Sequence, residues 1–241
     1  MRTVIVTGAS SGIGAAIAEA FAGEGTRLAL VSRQNTKGLL ETAERCGRAG
    51  SSVLTFTGDV AEESFCSRLA GEVKERFSPA DVLVNCAGIS MTGLFQDMNP
   101  EEWNRLMAVN TGSVFLLTKQ VLPDMIRRQS GRIINISSVW GISGASCEAV
   151  YSASKGAVNA FTKAMARELA PSHICVNAIA CGAIDTPMNA WMSPEEREAL
   201  VEEIPAGRLG RPEEIASVAL FLADAPEYLT GQVITVDGGW Q

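Results

Sequence analysis

The sequence predicts an α/β fold: one domain built on a doubly wound parallel sheet of seven strands, with helices on both faces. Three observations carry that prediction. Short β-branched runs alternate with longer helical patterns along all 241 residues, the mark of repeated strand-helix-strand units. Runs such as Val82-Leu83-Val84 are apolar at successive positions, as strands buried on both faces are. No repeat, low-complexity tract or Pro/Gly/Ser-rich linker interrupts residues 1–241, so a chain that is 46% apolar reads as one unit with one core.

In chain order, the expected strands are Thr3–Thr7, Arg27–Ser32, Ser52–Thr57, Val82–Asn85, Arg132–Ser137, Ile174–Ile179 and Val233–Val236. Each is a short run rich in Val, Ile, Leu or Thr. Between them, helices are expected at 13–23, 37–49, 62–77, 101–128, 152–170 and 212–223. The stretch 186–205, rich in Glu and broken by Pro187, Pro194 and Pro205, reads as an excursion between strand and helix and a candidate substrate lid. This is a Rossmann-type arrangement.

Composition excludes several roles. A net charge of −7 leaves no basic surplus for phosphates, so nucleic acid and anionic membrane are poor partners and small molecules better ones. No apolar segment is long enough for a signal-peptide core or a membrane span, which points to the cytoplasm. The six cysteines (46, 66, 86, 147, 175, 181) show no CxxC or metal-ligand spacing, and His173 is the only histidine. Free thiols in a reducing compartment and no metal site are the expectation.

Two patterns carry chemistry. Thr7-Gly8-Ala9-Ser10-Ser11-Gly12-Ile13-Gly14 joins the first strand to the first helix. Glycines at 8, 12 and 14 let the backbone approach a pyrophosphate at a helix N-terminus. The second strand ends at Ser32-Arg33 with no acid to hold a ribose 2′-hydroxyl, and a guanidinium there suits a 2′-phosphate, favouring NADP(H) over NAD(H). Tyr151 and Lys155, four residues apart, share a helix face, with Ser138 thirteen residues upstream. A phenol titrates near ~10, and a neighbouring cation lowers that value, so the pair reads as a general acid/base.

With Asp59-Val60, Asn85-Cys86-Ala87-Gly88, Asn110 and Cys181-Gly182-Ala183-Ile184-Asp185-Thr186 added, the sequence resembles the short-chain dehydrogenase/reductase family from Thr3 to Gly239. Within it the chain looks most like the bacterial 3-oxoacyl-acyl-carrier-protein reductases of fatty acid biosynthesis. The resemblance implies an NADPH-dependent carbonyl reductase in which Ser138 polarises the substrate carbonyl and Tyr151 delivers the proton. Lys155 would hold the nicotinamide ribose as well as assist the phenol, and Asn110 would support a water linking Lys155 to solvent. Asp59 and Val60 would flank the adenine; Asn85, Ala87 and Gly88 would support the cofactor from the central strand; and Gly182, Ile184 and Thr186 would meet its nicotinamide end. It also implies a homotetramer, built on the 101–128 helix, the helix after Tyr151 and the C-terminal Asp237-Gly238-Gly239-Trp240.

Cys86 stands where relatives often carry a second Asn, and Cys181 where they carry Pro. Other readings stay open: an NAD-dependent alcohol or polyol dehydrogenase, and, from a different class, a non-catalytic cofactor-binding sensor. The substrate divides further. An acyl carrier protein is acidic, yet the chain offers only Arg127 and Arg128 as a basic dock and has Ser172 where many relatives are basic. Glu148, three residues before Tyr151, would favour a cationic substrate. Relatives with a similar Ser-Cys-Glu segment and Ala-Cys-Gly loop look like reductases of a 5-aminopentanone group on elongation factor P.

Overall fold

Val4, Ile5 and Val6 sit fully enclosed between two neighbouring strands and two layers of helices, which is why the first strand can be apolar at every position. The computed structural model describes residues 1–190 and 192–241. Its strands are β1 (Arg2–Thr7), β2 (Thr26–Ser32), β3 (Ser52–Thr57), β4 (Val82–Asn85), β5 (Gly131–Ser138), β6 (Ile174–Cys181) and β7 (Val233–Val236). They form one sheet in the order β3-β2-β1-β4-β5-β6-β7, every neighbouring pair parallel. The order reverses between β1 and β4, which opens a crevice at the carboxyl ends of the strands.

Alternation along the strands divides the core between the two faces. Val4, Val6, Leu28 and Leu30 pack with Ile17 of α1 (Gly12–Ala20), Leu39 of α2 (Thr36–Arg48) and Ile215 of α9 (Pro212–Asp224). Ile5, Ala29 and Leu83 face the other way, against Leu69 of α3 (Glu63–Arg76), Leu117 of α5 (Ser113–Arg128) and Leu169 of α7 (Ala149–Leu169). Among the described residues no helix is long and apolar enough to cross a membrane.

Three departures from the expected elements bear on the site. The 101–128 helix is interrupted: α4 (Pro100–Met107) passes through a π-helical turn at Ala108–Gly112 into α5, with the Ser113 amide donating to the Ala108 carbonyl. Asn110 sits on that wider turn. Helix α7 begins at Ala149, so Tyr151 lies in its first turn rather than before it.

The third departure is in the 186–205 excursion, where two of the three prolines start helical structure instead of breaking it. Pro187 opens a short 3-10 turn, and Pro194 is the first residue of α8 (Pro194–Glu203). Ser193 and Glu196 cap α8 reciprocally, and proline's fixed φ suits a first helical position. Residue 191 of this excursion lies outside the described residues. A further turn of helix, α6 (Trp140–Ser143), follows β5 directly.

Candidate active site

The crevice at the strand ends is a cleft of about 1070 Å³. Its floor is the β1–α1 turn, where Gly8 and Gly12 adopt positive φ values of 70° and 52°. A Cβ on Gly14 would collide with the Gly8 carbonyl oxygen; this close approach requires glycine. Helix α1 has no side-chain cap and no acid in its first turn, so its leading N–H groups and its positive dipole end face the cleft. Ser10, Ser11 and Ile13 complete that rim. The Thr7 hydroxyl accepts from the amides of Cys86 and Ala87, both at 2.9 Å, and so ties the β4 exit to the glycine turn. A bare-backbone cradle at a helix N-terminus fits the pyrophosphate of a dinucleotide.

At one end of the cleft Arg33 is exposed at the tip of β2, with its guanidinium near Gln34 Oε1 at 3.2 Å. Asp59 and Val60 line the same end. Burial alone would raise the Asp59 pKa, but the Ala61 amide and the Arg105 guanidinium hold it below the usual carboxylate value, with Arg33 adding to the effect. The Arg105 to Asp59 distance is 2.6 Å. Arg105 is a site residue that the sequence reading did not single out. Its partner lies 46 positions away, so no local pattern could have found it.

Deeper in, Ser138 closes β5, and Tyr151 and Lys155 project from α7 into the same cleft. The Lys155 ammonium donates to the Ile136 carbonyl at 2.9 Å and lies 5.7 Å from the centre of the Tyr151 ring. Burial pulls its pKa down. Burial likewise drives the Tyr151 phenol well above its ordinary value, while the Ser138 hydroxyl pulls the other way. Burial is thus the largest influence on the phenol, and Lys155 is not among the groups that shift it.

Asn110 is held by hydrogen bonds to two neighbouring segments. Its Oδ1 accepts from the Ile89 amide at 2.8 Å, and its Nδ2 donates to the Ile89 carbonyl at 2.9 Å and to Ser154 Oγ at 3.0 Å. Both amide protons are engaged. The side chain is a clamp that fixes the 86–90 loop to α7. Gly88 lies beside it, where a Cβ would stand in ordinary contact with Asn110 Oδ1 at 3.4 Å and Lys155 Nζ at 3.5 Å. Asn85 does not line the cleft; it donates to Asn135 Oδ1 at 2.9 Å inside the sheet.

The β6 exit forms the remaining wall. A Cβ on Gly182 would press on Asp237 Cα at 2.7 Å, and one on Gly12 would meet Thr186 Cγ2 at 3.1 Å, so this loop lies directly over the glycine turn. Ile184 is buried and bridges to Gly210. Cys86 and Cys181 both line the cleft, and burial pushes each thiol up to about 12. Neither is an activated nucleophile. Glu148 lines the opposite mouth and accepts from Ser90 Oγ at 3.3 Å; burial raises its pKa against hydrogen bonds from Ser90 and Trp140. Trp140 and Trp240 complete this mouth. An aromatic two residues past Ser138 was the available signal for Trp140.

The family model described as short chain dehydrogenase matches residues 2–197. The chain belongs to the short-chain dehydrogenase family. Among curated members it is 41% identical to the 3-oxoacyl-[acyl-carrier-protein] reductase FabG of Thermotoga maritima, covering 99% of this chain and 97% of that one. It is 38% identical to the protein of the same name from Escherichia coli, over 99% and 96%. It is 40% identical to the uncharacterized oxidoreductase YmfI of Bacillus subtilis, over 99% and 98%. Among solved structures, a gluconate dehydrogenase candidate from Agrobacterium tumefaciens superposes with a TM-score of 0.94 at 33% identity, over 99% of this chain and 95% of that one. As a family member the protein is an oxidoreductase that binds a nicotinamide dinucleotide.

Proposed function

We propose that the protein is a cytoplasmic NADPH-dependent carbonyl reductase acting on a 3-oxoacyl substrate, with Tyr151 as proton donor. One observation carries the reading: Ser138, Tyr151 and Lys155 converge on one cleft, with the ammonium 5.7 Å from the centre of the phenol ring. The dinucleotide, when bound on the glycine cradle, supplies hydride. Ser138 orients the substrate carbonyl by donating to its oxygen. As negative charge grows on that oxygen the Tyr151 hydroxyl transfers its proton, and Lys155 stabilises the phenolate left behind. Arg33 is the residue we assign to the 2′-phosphate.

Oxidation of NADPH in the presence of a neutral 3-oxo ester tests the reading. No turnover with any ketone would return the protein to the non-catalytic class, and preferential oxidation of alcohols with NAD would return it to the alcohol or polyol dehydrogenases. The names of the curated reductases support an acyl-carrier-linked substrate. A second reading is favoured by Glu148, whose carboxylate lines the cleft mouth: reduction of an amine-bearing ketone such as the aminopentanone group on elongation factor P. Glu148→Gln should then raise KM for an aminoketone and leave a neutral ester nearly unchanged. Equal effects on both would remove this reading.

The protein is further proposed to be a homotetramer. Trp103 on α4 and Phe115 and Ile126 on α5 are exposed apolar side chains on the two helices joined by the π-helical turn, and Phe221 is exposed on α9. A light-scattering mass near 25.5 kDa at micromolar concentration would contradict this.

A further inference from the structure

Residues 237–241 fold back over the substrate mouth in a tight turn. The Asp237 carboxylate accepts from the amides of Gly239 at 3.0 Å and Gln241 at 2.8 Å. Gly238 and Gly239 take positive φ values of 70° and 84°, and a Cβ on Gly238 would press on Ala206 Cβ at 2.9 Å. The turn is anchored on both sides, because Asp237 also packs on Gly182 and the Gly238 carbonyl accepts from the Ala206 amide at 3.1 Å.

This construction delivers one side chain, Trp240, to the cleft wall. Its ring meets Trp140 edge-on, with centroids 4.7 Å apart and planes at 62°. The indole N–H of Trp240 is directed to the Glu203 carboxylate at 3.4 Å. The backbone of Trp140 in turn donates to Ser138 Oγ at 3.2 Å. The aromatic pair is thus coupled to the residue assigned to the carbonyl, and the Trp240 ring is held by its indole bond and by Trp140.

We propose that Trp240 is a specificity-determining residue, forming with Trp140 a two-ring wall that takes the arm of the substrate beyond its carbonyl and rejects an anionic arm. This rests on the reductase reading. The rejection follows from charge: among the described residues, the acidic side chains at this end of the cleft are Glu148, Glu196 and Glu203, the Lys155 ammonium lies deeper on the Ile136 carbonyl, and Arg33 and Arg105 line the far end with Asp59. A carboxylate on the arm would meet like charge in a partly desolvated site, whereas ring faces accept apolar and cationic groups alike.

The test uses three ketones of matched length, a neutral 3-oxo ester, an aminoketone and a 3-oxo acid, with the wild type, Trp240→Ala and Trp240→Phe. The wild type should reduce the acid with kcat/KM at least about tenfold below the ester. Trp240→Ala should lose about tenfold in kcat/KM for ester and aminoketone, chiefly through KM, and Trp240→Phe should recover most of it. KM for NADPH should stay within about twofold throughout, because the turn lies at the substrate mouth.

Unchanged ketone KM values in Trp240→Ala, or an acid reduced as well as the ester, would overturn the proposal while leaving the reductase reading intact. A wild type that reduces none of the three would sink the reductase reading instead. Quenching of intrinsic tryptophan fluorescence by the ester in the dinucleotide-loaded protein then decides the wall: quenching that weakens in Trp240→Ala sustains it, and identical titrations reject it.

Discussion

Asn110→Ala separates a structural clamp from a participant in proton transfer. The wild-type side chain is 1% exposed and makes three hydrogen bonds, two to the backbone of Ile89 and one to Ser154. At about 1 kcal/mol net each, their loss costs about 3 kcal/mol, and for a chain of this size that lowers Tm by about 6–12 °C. Asn110→Asp keeps an acceptor for the Ile89 amide but sets a carboxylate oxygen toward the Ile89 carbonyl, so it should melt no higher than the alanine variant. Thermal unfolding followed by circular dichroism reads both. A Tm within about 2 °C of wild type, combined with lost activity, would refute the clamp and return Asn110 to the chemistry.

Other perturbations test the rest of the cleft. Arg33→Ala should reduce the NADPH over NADH preference in kcat/KM by about tenfold or more, since a charge-assisted contact contributes roughly 1.5–3 kcal/mol; an unchanged ratio would mean that another residue reads the 2′-phosphate. Gly14→Ala drives a methyl group into the Gly8 carbonyl, and calorimetric titration should show dinucleotide affinity falling at least about tenfold as the turn shifts. The Asp59 carboxyl is held below its ordinary 3.8. Its contribution is therefore full above that value and is lost as pH falls through the lower folded value. The Tm gap between wild type and Arg105→Ala should be open at neutral pH and close on acidification below 3.8; a gap independent of pH would show that Arg105 acts by packing alone.

The sheet was legible because buried parallel strands have no polar face, so Val82-Leu83-Val84 cannot be mistaken for a surface strand. The glycine turn and the Tyr151 and Lys155 pair were legible because each depends on close sequence spacing. What escaped depends on contacts made across the fold. The π-helical turn at Ala108–Gly112 adds one residue to a helix whose periodicity hardly changes, and Asn110 has to be on that turn to reach both Ile89 and Ser154. Arg105 finds Asp59, and Trp240 finds Trp140, only after the chain has folded. The prolines of the 186–205 excursion misled because the same residue ends a helix when it lies inside and starts one when it stands first; Ser193 and Glu196, three apart around Pro194, were the disambiguating signal.

Tyr151→Phe tests the central claim most directly. The ring still packs, so the dinucleotide should bind with unchanged affinity, while the proton needed at the carbonyl oxygen is gone. Following NADPH oxidation with the neutral 3-oxo ester, kcat should fall by at least ~10²-fold, the scale of general acid catalysis. A variant that kept a tenth of the wild-type rate with intact cofactor binding would show that the proton comes from elsewhere.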